Sequence, residues 1–195
     1  METFGGGYYY IDEFCNKGRS AAEREAGIKL VAERTAAHMR QHGIKILHVM
    51  AGDFSSSNAQ QMLQAFVDAN DQLEGITAVK RNPYDGDHGQ IYWFTNKKGY
   101  DIPCVTASYK MWTGFNTPES IAQTIQKQNQ TSLSFNTIVV HAWSTWGGQR
   151  ASDAVQQCVA NLPENFKCVS MQELIWRIRY QERKEQTLEY LKSIK

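Results

Sequence analysis

The alternation of short apolar segments with longer helical segments is the feature of this sequence that most restricts its fold. Hydrophobic patterning predicts β-strands at residues 7–11, 45–50, 76–80, 90–94, 102–107, 137–142 and 167–170. Segments with helical periodicity lie between or after them, at 21–41, 59–73, 118–128, 152–161 and 171–194. Such alternation is typical of α/β proteins with mostly parallel sheets. A short loop between 90–94 and 102–107 predicts a local hairpin.

The number of strands limits the architecture further. Seven strands in 195 residues are too few for a complete eightfold (β/α) barrel, which ordinarily takes about 250 residues. We therefore expect a single α/β domain over residues 1–195, with a mostly parallel sheet arranged as a partial or distorted (β/α) barrel or as an open sheet. No linker-like tract marks a domain boundary.

Composition excludes some classes of function. The chain has 21 Lys and Arg against 20 Asp and Glu, so it lacks the basic excess of a dedicated nucleic-acid binder. No apolar run approaches the roughly 20 residues of a membrane span, and the start of the chain has no signal-peptide pattern. The four cysteines are scattered without a CxxC pair, and we expect them to be small core residues.

Polar residues follow several of the predicted strands. Ligands of parallel α/β sheets bind outside the carboxyl ends of the strands. Asp12 and Glu13 follow the first predicted strand, Asp53 follows the second, and Asp87 lies after the third. These four carboxylates are candidates for acid, base or nucleophile, although each could instead serve a turn or cap a loop.

Aromatic and imidazole side chains are expected at the same edge. Exposed indoles and phenols suit the apolar faces of sugar rings, whereas rings of this kind can also anchor loops. His141 could position a substrate or support another residue. The candidate substrate-binding residues are Tyr8, Tyr10, His141, Trp143 and Trp146.

Cofactor and metal motifs are missing from the sequence. It contains no phosphate-binding GxxxxGK[ST] loop and no dinucleotide fingerprint, so no cofactor is expected. His38 and His42 have the i, i+4 spacing that can hold a metal. They lack the glutamate of the H-E-x-x-H pattern and precede Gly43, the expected end of the helix, so we predict no metal site.

Several motifs resemble one family. The segment 5–10 reads GGGYYY and matches the first six positions of the GxGYxYP signature of a family of glycoside hydrolases, with Ile11 in place of the family's proline. Residues 99–112 resemble the family's G-x-P-V-V-S-A-R-Y-x-x-W region. Residues 140–144 and 167–175 resemble its C-terminal end, and the segments occur in the expected order.

The resemblance implies the C-terminal domain of a longer, extracytoplasmic carbohydrate-active protein with a barrel-like α/β fold. A missing N-terminal domain would then be a partner of this chain, and a carbohydrate its ligand. The chain itself does not indicate its location.

Three functions remain open. The first is a glycoside hydrolase that uses Asp53 with Asp12, Glu13 or Asp87 as its carboxylate pair. The second is a glycan-binding module without catalysis. The third is a metal-dependent polysaccharide deacetylase, whose barrel resembles the predicted architecture and whose ligands would be Asp53, His48 and His141.

Overall fold

A computed structural model describes residues 9–14, 16–80, 86–128, 135–142 and 148–193. The helices and strands follow in chain order. They are α1 (Ala21–Gln41), β1 (Ile46–Ala51), α2 (Ser57–Ala69), β2 (Gly75–Lys80), β3 (Ile91–Thr95), β4 (Asp101–Thr106), β5 (Tyr109–Met111), α3 (Pro118–Gln128), β6 (Ile138–Val140), α4 (Ala151–Ala160), α5 (Met171–Glu182) and α6 (Lys184–Ser193).

Helix α1 shows how local sequence sets the boundaries. The Ser20 hydroxyl accepts a hydrogen bond from the Glu23 amide, while the Glu23 carboxylate accepts one from the Ser20 amide, which together form a capping box. Gly43 has a φ of 64° just beyond the last helical turn, a conformation that glycine adopts without a steric penalty. Both predicted ends of this helix are confirmed.

The main sheet has four strands in the order β1-β2-β4-β3. Strands β1, β2 and β4 are parallel, with Ile46 opposite Gly75 and Ile76 opposite Cys104. Strand β3 pairs antiparallel with β4, which confirms the predicted hairpin. The mostly parallel sheet is likewise confirmed.

Helices cover both faces of this sheet, and successive residues of each strand point to opposite faces. On one face Leu47 and Val49 of β1 lie in the core formed with α1 and α2. On the other face Val105 of β4 packs with Ile175 and Ile178 of α5. The architecture is therefore an open sheet between two helical layers.

A second sheet continues from the first. Strands β5 and β6 are parallel, and Thr137 links them to the end of β4, since its hydroxyl donates to the Thr106 carbonyl and its carbonyl accepts from the Ser108 amide. Helices α3 and α4 pack against this pair in a separate apolar cluster. The described residues form no closed barrel, and their strands lie in one four-stranded and one two-stranded sheet.

Glu74 and Arg179 anchor α5 beneath the main sheet. The buried Glu74 carboxylate accepts hydrogen bonds from Gln172 Nε2 and Trp176 Nε1, both at 2.8 Å, and pairs with Lys45 Nζ at 3.1 Å. The buried Arg179 guanidinium lies 4.6 Å from the centre of the Trp176 ring and donates to the Glu74 carbonyl. The polar groups of this layer are thus satisfied by one another.

Three predicted elements differ from the structure. Residues 9–11 are not a strand, and the chain turns at Ile11–Phe14 because Asp12 bonds to the loop after β1. Residues 167–170 have no strand partner among the described residues. The single helix predicted at 171–194 is two helices, since Arg183 leaves the helical conformation and its guanidinium pairs with Asp101 at 3.0 Å.

Cys104 and Cys158 are buried free thiols, as predicted, whereas Cys168 is exposed, so the prediction of a core residue is wrong there. Cys15 lies outside the described residues. Within the described ranges, no helix is both long and apolar enough to cross a bilayer.

Candidate functional site

Asp53 and Asp87 come together where β1 and β2 end. Asp53 follows β1 by two residues, and Asp87 lies in the segment that leads from β2 into β3. Each of the two lies close enough to Lys80, the last residue of β2, to interact with its charge. Asp53 and Asp87 thus both interact electrostatically with Lys80.

Asp53 is held by the loop that precedes α2. Its Oδ1 accepts hydrogen bonds from the Ser55 amide at 2.9 Å and the Ser55 hydroxyl at 2.6 Å. These bonds lower the pKa of Asp53, and the charge of Lys80 lowers it further. Oδ2 has no hydrogen-bond partner among the residues that the structure describes. Asp53 therefore presents an ionised, exposed oxygen in a fixed orientation.

Asp87 lies between a phenol and an ammonium group. The Tyr92 hydroxyl donates to its Oδ2 at 2.7 Å, and Lys80 Nζ donates to its Oδ1 at 3.1 Å. Both contacts lower the pKa of Asp87, the Tyr92 hydrogen bond most. Burial and the neighbouring carboxylates raise the pKa of Tyr92, so its hydroxyl keeps its proton at neutral pH.

Glycine holds the Asp87 segment against the sheet. Gly86 is packed so tightly on Ala107 that a Cβ atom there would lie 1.8 Å from the Ala107 carbonyl oxygen. The Gly89 amide donates to the same oxygen at 3.1 Å. This close approach fixes Asp87 beside the junction of β4 and β5.

The charges of the site interact. The Asp87 carboxylate raises the pKa of Asp53, but the Ser55 hydrogen bonds and Lys80 outweigh it. The site thus offers two ionised carboxylates, one cation and one protonated phenol. Sequence patterning missed Lys80 and Tyr92 because both belong to strands. Alternation within β3 places Tyr92 on the same face as Phe94, which is the only signal that could have indicated it.

Asp12 and Glu13 occupy different positions from this pair. The Asp12 carboxylate accepts hydrogen bonds from the Gly52 and Asp53 amides, each at 3.0 Å to Oδ2, so it positions the loop that bears Asp53. Glu13 is an exposed turn residue whose amide donates to the Tyr10 carbonyl. Among the four predicted carboxylates, Asp53 and Asp87 are the two that interact with Lys80.

The predicted aromatic residues are described only in part. Tyr10 packs against the small apolar cluster of Met50, Val79 and Ala107 at the strand ends. His141 is stacked on Trp112, with ring centres 3.8 Å apart and planes 11° from parallel. Tyr8, Trp143 and Trp146 lie outside the described residues.

Potential metal ligands do not assemble within the part of the chain that the structure describes. No group of three or more His, Cys, Asp or Glu side chains there has the proximity that a metal site needs. His38 and His42 contact each other with ring centres 4.5 Å apart. His48 Nδ1 lies 2.9 Å from the Thr77 hydroxyl, and the His141 ring stacks on Trp112. Among the described residues, neither histidine belongs to a group of potential ligands with Asp53.

Comparison with known proteins supports the fold. No family model and no curated protein sequence matches the chain. A solved structure of a protein described as a putative hydrolase, from Bacteroides thetaiotaomicron VPI-5482, matches with a TM-score of 0.66 and 13% identity. The match covers 91% of this chain but 32% of that protein's chain. The likeness shows a shared α/β fold. This chain spans about a third of the other protein's length.

Proposed function

We propose that this chain is the hydrolytic domain of a carbohydrate-active protein that cleaves glycosidic bonds at the Asp53–Asp87 edge. One observation carries the proposal: at the edge where parallel sheets bind ligands, Asp87 bonds to Lys80 and Tyr92, and the Asp53 carboxylate, from another strand end, interacts electrostatically with both. The fold shared with a protein described as a putative hydrolase supports the reaction class. The GxGYxYP resemblance supports the substrate class.

The surroundings of each group assign its role. Asp53 has an oxygen that no described residue bonds and a lowered pKa, which suits a base that activates water or a nucleophile that attacks the sugar. Glycoside hydrolysis also needs a proton donor for the leaving oxygen. Asp87 is ionised, so it does not supply this proton itself. It accepts hydrogen bonds from the Tyr92 hydroxyl and from Lys80, and one of these two groups would be the proton donor.

The test is a panel of soluble polysaccharides incubated with the chain, with released reducing ends as the readout. Asp53→Asn should lower release about 10²-fold or more, the usual contribution of a positioned acid or base. Asp71→Asn is the matched control, because Asp71 also has a lowered pKa, from Lys98, but precedes β2 at the opposite end of the strand. Equal turnover by the wild type and Asp53→Asn would refute the assignment.

A second function is favoured by one observation. Both Asp53 and Asp87 have lowered pKa values, whereas a glycosidase keeps one carboxyl group protonated. A glycan-binding module needs no such proton. Binding of a polysaccharide without release of reducing ends, unchanged in Asp53→Asn, would establish that function instead.

A further inference from the structure

We propose that the groove between α5 and α6 is a binding site for a small aromatic carboxylate. The groove has a volume of about 790 Å³. Ligand pockets of proteins commonly have volumes of about 300–1,000 Å³, with mostly apolar walls and a few placed polar groups. The inference does not depend on the proposed reaction, because no residue that lines the groove belongs to the Asp53–Asp87 edge.

The groove lies toward the other end of the main sheet from the two aspartates. Trp176, which lines it, donates its indole N–H to the carboxylate of Glu74, the residue directly before β2. Lys80, which interacts with Asp53 and Asp87, is the last residue of the same strand. In an extended strand the distance from Glu74 to Lys80 is about 20 Å. The groove is therefore a separate site.

Three aromatic rings and a leucine form the apolar walls. They belong to Phe135, Trp176, Tyr180 and Leu191. The Trp176 ring is fixed in place, because the Glu74 carboxylate accepts its N–H at 2.8 Å and the Arg179 guanidinium lies 4.6 Å from the ring centre. At least one wall of the groove is thus held rigidly before any ligand binds, which lowers the entropic cost of binding.

Exposed apolar side chains are concentrated on the same two helices. Among the described residues, four of the eight large apolar side chains that are exposed lie on α5 and α6, which have only 12 and 10 residues. Two of these four, Tyr180 at 47% exposure and Leu191 at 38%, line the groove. Apolar surface gathered in this way is typical of ligand-binding grooves and interaction sites.

The groove carries a positive charge that the described residues do not balance. The Glu173 carboxylate in its wall is already paired, with Arg177 Nη2 at 2.6 Å and with Lys167 Nζ at 3.3 Å, and these contacts lower its pKa. Lys184, in contrast, pairs with no carboxylate among the described residues. Its Nζ lies 5.6 Å from the centre of the Tyr180 ring. An ammonium group without a counter-ion therefore lies beside an exposed aromatic ring.

These features define the chemistry of the ligand. An aromatic body can pack against the rings of Phe135, Trp176 and Tyr180 in offset or tilted contacts. A carboxylate attached to that body can pair with Lys184. A cationic ligand would meet Lys184 and Arg177 as like charges, and an uncharged one would leave the ammonium group without a partner.

The experiment follows the indole N–H signal of Trp176 in ¹⁵N HSQC spectra while 2-naphthoate is added to the full chain. The chain has five tryptophans, so the indole signals are few and Trp176→Phe assigns the one in the groove. We expect saturable shifts of that signal and none of the other four. 2-Naphthalenemethanol, which has the same rings without the charge, should bind about two- to fivefold more weakly, the usual worth of a partly exposed ion pair.

Variants separate the charge from the apolar contact. Lys184→Gln should weaken the binding of 2-naphthoate about two- to fivefold and leave that of 2-naphthalenemethanol unchanged. Tyr180→Ala should weaken the binding of both compounds by up to about tenfold, because a ring contact is lost. Lys29→Gln and Leu30→Ala are the matched controls, since these neighbouring residues of α1 are exposed but do not line the groove. Both controls should bind as the wild type does.

Three results would overturn the proposal. A Trp176 signal that does not move in millimolar 2-naphthoate excludes the site. Equal affinities for the two compounds, or an unchanged affinity for 2-naphthoate in Lys184→Gln, exclude the anionic class of ligand. A wild-type dimer in sedimentation equilibrium that Tyr180→Ala converts to a monomer would assign the groove to a second copy of the chain instead.

Discussion

Substitution of Gly86 by alanine tests whether the tight packing of its segment positions Asp87. An alanine Cβ would lie 1.8, 2.2 and 2.4 Å from three backbone atoms of Ala107, and ordinary contact begins at 3.4 Å. The Ala107 backbone lies between β4 and β5, and its amide donates to the Ala78 carbonyl of β2, so it cannot yield cheaply. The Asp87 segment must therefore move by about the difference, 1.6 Å. Such a displacement exceeds what the 2.7 Å bond from Tyr92 and the 3.1 Å contact with Lys80 can tolerate.

Two measurements follow from that displacement. Overpacking of this kind costs about 1–3 kcal/mol, and in a chain of this size each kcal/mol lowers the Tm by about 2–4 °C, so thermal unfolding followed by circular dichroism should show the loss. The second readout is the pKa of Asp87, followed by NMR of its carboxyl carbon. Since the Tyr92 and Lys80 contacts keep this pKa low, Gly86→Ala should return it toward about 3.9, the usual value for aspartate.

Gly99→Ala is the matched control for this experiment. Gly99 has a φ of 83° and no neighbour within 4 Å of a Cβ atom, so its substitution introduces backbone strain of about 1–2 kcal/mol without a clash. It should lower the Tm and leave the titration of Asp87 unchanged. An unaltered Asp87 pKa in Gly86→Ala would refute the reasoning, whatever the effect on stability.

Three further predictions use other parts of the fold. Glu74→Ala should lower the free energy of unfolding in urea by about 2–4 kcal/mol, because three donors lose a buried carboxylate, and a loss below about 0.5 kcal/mol would contradict that role. Asp53 and Asp87 have lower pKa values in the folded than in the unfolded chain, so the stability they contribute is complete above about pH 4 and is lost as the pH falls further. Asp87→Asn should make the free energy of unfolding fall less steeply with pH in this acidic range, as equilibrium unfolding would measure. Cys168 should react with a thiol reagent in the native protein, whereas Cys104 should stay protected because it is buried and burial raises its pKa. Peptide mapping by mass spectrometry would show the difference, and equal labelling of the two cysteines would contradict it.

Local chemistry explains which elements the sequence predicts well. Helix α1 is recovered at both ends because Ser20 and Glu23 form its cap and Gly43 ends it. Helix α2 begins two residues before its predicted start, because the Ser56 side chain caps the Ala59 amide. Where a short-range hydrogen bond decides the boundary, the sequence contains the information.

Long-range contacts explain the failures. The strand predicted at 7–11 has the right alternation, but Asp12 is drawn to the amides of Gly52 and Asp53, about 40 residues away in the chain, and the backbone turns there. The break at Arg183 depends in the same way on Asp101, in another element. No window of sequence around either position shows these partners.

The residues of the candidate site also differ in how far the sequence predicts them. Asp53 and Asp87 can be predicted because polar residues after apolar strands mark the ligand-binding edge. Lys80 and Tyr92 are hard to predict, since strand residues of these types usually have structural roles, and only the sheet order brings them to Asp87.

The parallel register of the main sheet has a consequence for how this edge forms during folding. Ile46 pairs with Gly75 and Ile76 with Cys104, so each pairing closes a loop of roughly 30 residues. Contacts of such large sequence separation form late and slowly compared with helices and hairpins. The β3–β4 hairpin can form by itself, but Asp53 and Asp87 cannot meet until both crossovers are complete. The arrangement of Asp53 and Asp87 around Lys80 is therefore a property of the finished sheet, and no short fragment of the chain can reproduce it.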